Sequence, residues 1–194
     1  MAGDEWRVMG RGRAFRSGAA VGALVLTWAG GAWAVAALLN RPGAPGWTFV
    51  AVALPVLALT ITAVVRLRTI ARSREERSAT EGAEAARRGR HAGMVFGIVF
   101  GAEIALIALA AIVLSRAGRG LLIPVAVVAI VGAHFIPLSR AFRISAYGVA
   151  GVALLALAVA SFLIPDEALR DFVLGLATAA VLWASAGVVL AQET

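Results

Sequence analysis

The sequence predicts an all-α fold: a polytopic membrane bundle of six transmembrane helices with both termini in the cytoplasm. Three observations predict it. Of 194 residues, 61% are hydrophobic and 15% are charged, against about half and about a quarter in a typical soluble domain. Mean hydropathy is +0.89, more apolar surface than one soluble core of this length hides. The apolar residues fall into six runs, and the charges collect at the run edges. A membrane-spanning helix needs about 20 mostly apolar residues. The qualifying runs are roughly 17–39, 47–66, 92–115, 120–139, 146–164 and 168–191. Backbone groups in hydrocarbon must find partners within their own segment, so each run is expected to be a helix.

The first run has a signal-peptide look, with Arg7, Arg11, Arg13 and Arg16 ahead of it and small residues at Ala32 to Ala36. Its apolar stretch outruns the roughly 7–15 residues of a signal h-region, so it is expected to be a retained span. The second run carries Pro55. Between the second and third lies a connector, 67–91, rich in arginine and glutamate. Ser73 with Glu76, and Ser78 with Glu81, have capping-box spacing. Short helices extending the second span are expected there. The connector reads either as a solvated, salt-bridged segment or as a docking site for a partner or anionic headgroups. It is too short for an enzyme domain.

Orientation follows arginine. Every basic residue is Arg. With the N-terminus inside, the cytoplasmic segments hold Arg7, Arg11, Arg13, Arg16, Arg66, Arg68, Arg72, Arg74, Arg77, Arg87, Arg88, Arg90, Arg140 and Arg143. The outer segments hold Arg41, Arg116, Arg119 and Arg170. The positive-inside rule then places both termini in the cytoplasm. Trp47 and Tyr147 fall near the expected interfaces, where amphipathic rings gather. The net charge of +7 is spent on orientation, and no nucleic acid is expected as a partner.

Absences narrow the chemistry. With no Cys, disulfides, thiol chemistry and cysteine metal sites are excluded. With no Lys, a Schiff base cannot form. No phosphate loop ending in Gly-Lys, no His-Glu-x-x-His and no Gly-x-Ser-x-Gly occurs. No cofactor, metal or enzymatic activity is expected.

The third run carries the strongest signal, Glu103, near its middle. An ionised side chain at the bilayer centre costs about 3 kcal/mol on insertion scales. Low dielectric penalises the charged form of any carboxyl, the property a proton-coupled group needs. Two readings stay open, proton coupling and a neutral Glu bonding a neighbouring helix as glue. Gly93, Gly97 and Gly101 form a stripe on the same run, suited to close helix packing within or between subunits. Glu103 sits about 120° around the helix from it. Buried on two sides, this helix is expected at the centre of the bundle.

The fourth run holds His134, Pro137 and, at its end, Arg140 and Arg143. Counting inward from the short turn at 116–119, Glu103 and His134 reach depths about 3 Å apart. If their faces meet, which sequence cannot fix, adjacent antiparallel helices bring them into contact as a proton relay or as two costly groups satisfying each other. Pro137 removes a helix hydrogen bond and is expected to kink the run. Pro124 belongs with Pro55 as a lesser interruption. Arg140 reads as an orientation anchor or as an anion contact. Asp166, Glu167 and Asp171 open the sixth run and complement its helix dipole. The segment Gly132-Ala133-His134-Phe135-Ile136-Pro137-Leu138, with Phe142, resembles one in some uncharacterised bacterial multi-span proteins, a resemblance that implies no function.

The resulting expectation is a small bacterial inner-membrane transport protein, a channel or a proton-linked permease, in which Glu103 titrates, His134 relays and Pro137 gates or lines the path. Its partners would be the lipid bilayer, an unknown small solute or ion, and further copies of itself in a homo-oligomer. The alternative is an accessory or sensory subunit that docks a cytoplasmic partner through the connector. The thin set of reactive groups disfavours an intramembrane enzyme.

Overall fold

In the computed structural model, the described backbone covers residues 5–41, 43–75 and 79–192, and the described side chains 20–41, 43–71, 93–94 and 97–192. The side chains of the arginines before residue 17, of most of the connector and of both of its capping boxes lie outside the described residues. The helices are α1 (Glu5–Leu39), α2 (Gly46–Glu75), α3 (Ala79–Arg116), α4 (Ile123–Phe142), α5 (Ser145–Ala160) and α6 (Glu167–Ala191). Short 3-10 turns at Gly120–Leu122 and Ser161–Leu163 lead into α4 and out of α5. Six segments are long and apolar enough to cross a membrane: Ala20–Leu39, Gly46–Ala71, Gly97–Arg116, Gly120–Phe142, Ser145–Leu163 and Glu167–Ala191. This is the architecture of a multi-pass membrane protein.

Local chemistry sets the ends. Gly118 adopts a left-handed conformation (φ +69°) after α3. Around it, the Arg119 amide donates to the Leu114 carbonyl at 2.8 Å and the Gly118 amide to the Ser115 carbonyl at 3.1 Å. These two bonds make a Schellman motif, which reverses the chain within a few residues. Pro124 takes one of the first two positions of α4. Its missing N–H would have no helical partner there, so it starts the helix instead of interrupting a span. α4 then continues through Pro137 to Phe142. Asp166 caps α6, its carboxylate accepting from the Leu169 amide at 2.6 Å.

α1, α4, α5 and α6 build the core. α1 lies along α6, α4 lies along α5, and α6 joins the two pairs. Glycine permits the closest approaches. A Cβ on Gly132 would come within 2.9 Å of the Gly151 carbonyl, and one on Gly151 within 2.7 Å of the Gly132 carbonyl, so α4 and α5 meet backbone to backbone. Gly30 lets the Trp183 ring against α1, where its Nε1 donates to the Thr27 carbonyl at 3.0 Å. Leu154, Leu174, Leu182 and Val128 fill the interior. Tyr147 is buried rather than interfacial: its ring lies 5.9 Å from Phe135 and its hydroxyl packs against Gly22.

α2 and α3 are the flanks. α2 packs on α1 and α6, while α3 packs mainly on α4. Only 6% of the apolar segment of α3 is buried, against 50% of α6. The expectation that α3 is the central helix is therefore overturned. Its glycine stripe meets no neighbour among the described residues: a Cβ on Gly93, Gly97 or Gly101 would find nothing within 4 Å. Periodicity shows a face suited to packing but cannot show whether the chain has a helix to put there.

Candidate functional site

Among the described residues, two charged side chains are buried, Glu103 and Arg170. They lie on different helices and find their partners in different ways.

Glu103 points from α3 toward α4. Its Oε2 lies 3.3 Å from Nδ1 of His134, with 8% of the Glu103 side chain and 14% of the His134 side chain exposed. The two positions are symmetric about the Gly118 turn, so antiparallel helices leaving that turn bring them to one level. Glu103 lies six residues in from Gly97 and His134 eight residues in from Phe142, or about 9 Å and about 12 Å along their helices from the same end of the bundle. The contact is an ion pair when the imidazole carries a second proton. It does not meet hydrogen-bond geometry, and Nδ1 is buried with no hydrogen-bond partner among the described residues. The imidazole also stacks at 5.0 Å on Phe135, which continues to Tyr147 at 5.9 Å. The pair thus sits in the α3–α4 seam at the margin of the core, with an aromatic row leading from it toward α1.

The other expected site residues lie apart from the pair. Pro137 is exposed one turn beyond His134, and Arg140 is exposed at the end of α4. Ser139, beside them, returns its hydroxyl to the Ile136 carbonyl at 2.8 Å. Other hydroxyls in the apolar segments behave likewise, Thr27, Thr62 and Ser185 bonding the carbonyl four residues back, which satisfies them without a partner helix. Thr60 and Thr178 have buried hydroxyl oxygens without a hydrogen bond.

Sequence reasoning missed Arg170, counting it only as an outer-edge arginine. It is 7% exposed. Its Nη2 donates to the Leu121 carbonyl at 2.8 Å, 49 residues away in sequence, and its Nε to Asp171 Oδ1 at 3.3 Å. One residue later but one, Phe172 carries the Arg41 guanidinium over its ring at 4.4 Å, a cation–π contact. The first turns of α6 therefore hold both the α1–α2 turn and the α3–α4 turn. The available signal was an arginine beside an aspartate inside an apolar run; its carbonyl partner had no sequence signature.

Among the described residues, no group of three or more His, Asp or Glu side chains is arranged to hold a metal ion. Comparison of the chain with protein-family models, with curated proteins and with solved structures finds no match in any of the three.

Proposed function

We propose that this chain is a small bacterial inner-membrane transport protein, a channel or a proton-linked permease, in which the Glu103–His134 pair carries the coupled proton or ion. One observation supports this above all: a carboxyl and an imidazole from different helices, both inside segments apolar enough to cross a membrane, come within 3.3 Å of each other. Ionisable groups at membrane depth are costly, and they commonly mark ion and proton pathways. In this reading Glu103 accepts the proton, His134 passes it along α4, and both termini face the cytoplasm, as the arginine distribution favours. The reading is not enzymatic.

The test is flux through proteoliposomes containing the purified chain under an imposed pH gradient. Glu103→Gln should reduce pH-driven flux strongly while thermal stability stays close to that of the parent. A variant that unfolds or fails to insert would favour the structural role for the pair.

A second reading, an accessory or sensory subunit, is favoured by one observation. α3 is already helical from Ala79, well before its apolar segment begins at Gly97, an extension of about 27 Å. Such an arm, carrying Arg87, Arg88 and Arg90, suits docking of an acidic partner. Neutralising those arginines should abolish function under this reading and spare flux under the first.

A further inference from the structure

We propose that Arg170 is a positioning residue for the Glu103–His134 pair: by holding the Leu121 carbonyl, it fixes the register of α3 against α4. The proposal rests on the functional reading of that pair only for its importance, and its geometry stands separately.

α3 has little lateral support. Its apolar segment is almost wholly outside the core, its main packing partner is α4, and its glycine stripe meets nothing among the described residues. The level at which Glu103 reaches α4 is therefore set by the α3–α4 turn. That turn is closed on its own side by the Gly118 motif and the Leu122-to-Arg119 amide bond. It is tied to the rest of the bundle by Arg170, whose Nη2 donates to Leu121 at 2.8 Å across 49 residues of chain. A hydrogen bond from a charged guanidinium is among the stronger ones available, and more so where water is excluded.

The leverage is direct. Leu121 and His134 are 13 positions apart, about 20 Å along α4. Sliding α3 past α4 by one residue moves Glu103 by about 1.5 Å. The present separation of 3.3 Å would then exceed contact distance. Arg170 cannot simply withdraw into solvent, because it is buried; without it, the Leu121 carbonyl loses a partner and the turn loses its only described side-chain tie to α6. Arg41 on Phe172 does the corresponding service for the α1–α2 turn, but that turn leads to helices that already pack along each other.

The chain has two histidines, His91 and His134, which makes the experiment simple. The full chain is labelled with 15N-histidine, reconstituted in lipid bilayers, and its imidazole signals are recorded by solid-state NMR. His91→Gln assigns the two. Glu103→Gln gives the His134 signal of a broken pair. Arg170→Gln should move the His134 signal toward that position, although the substitution lies about 20 Å away, and Arg170→Lys should move it less. A purely stabilising Arg170 would lower the melting temperature and leave the His134 signal in place, which overturns the proposal. If Arg170→Gln does not insert, Arg170→Lys decides by the same signal. The readout needs no flux, so a signal that moves in a chain whose flux ignores Glu103 would sink the transport reading and leave the register lock standing.

Discussion

The core pair α4–α5 and the flanking helix α3 are both rich in glycine, and they use it in opposite ways. On α4 and α5, Gly132 and Gly151 face each other so closely that a Cβ on either would meet the other's carbonyl oxygen. On α3, Gly93, Gly97 and Gly101 face open space. The spacing on α3 is the more regular of the two, yet only the core glycines are packed within the chain. Small residues permit close packing; whether they are used depends on a complementary backbone arriving at the same level. The Glu103–His134 pair belongs to the loosely held side, where α3 meets the core mainly along α4.

Substitutions can break this contrast in a definite order. Gly151→Val should have the largest effect, because the intruding Cβ would meet backbone and Phe135 Cβ rather than a mobile side-chain tip. Overpacking of this kind costs about 3 kcal/mol, and for a chain of this length a fall in Tm of about 10 °C in detergent is expected. Gly30→Ala comes next. Its Cβ would press on the Trp183 ring at 2.7 Å, and the ring has some room to yield at the expense of its bond to Thr27. About 1.5 kcal/mol is expected, read as a smaller Tm shift together with altered Trp fluorescence. Gly97→Ala should be smallest, within about 0.5 kcal/mol of neutral or slightly stabilising, since alanine favours the helix and nothing is displaced. If Gly97→Ala instead changed the mass of the particle by light scattering, the stripe would be packing between copies and the contrast with α4–α5 would be one of location alone.

Much of this architecture is legible in the sequence, for physical reasons that differ by element. The six apolar helices are legible because a segment fit to cross a bilayer needs a length and a polarity that composition reports directly. The common level of Glu103 and His134 is legible because counting from the short turn around Gly118 brings both residues to similar depth; that their faces meet depends on helix rotation, which sequence does not report. The burial of α3 was not legible. An apolar helix in a membrane protein has the same composition whether it faces lipid or protein, so Glu103 and the glycine stripe suggested two buried sides where α3 has one. Pro124 misled because a proline marks a helix start as readily as an interruption, and the start of α4 is preceded by apolar residues with no polar cap. Arg170 was invisible as a contact because its partner is a backbone carbonyl, which every residue supplies.

The central claim is that Glu103 and His134 act as one functional unit. A double-substitution cycle on pH-driven flux in proteoliposomes tests it most directly. Glu103→Gln and His134→Gln should each reduce flux strongly, and the double variant should be no worse than the more severe single one, as expected for residues working through one contact. Losses that instead multiply, in variants that remain folded, would mean that the two residues act separately and would contradict the account.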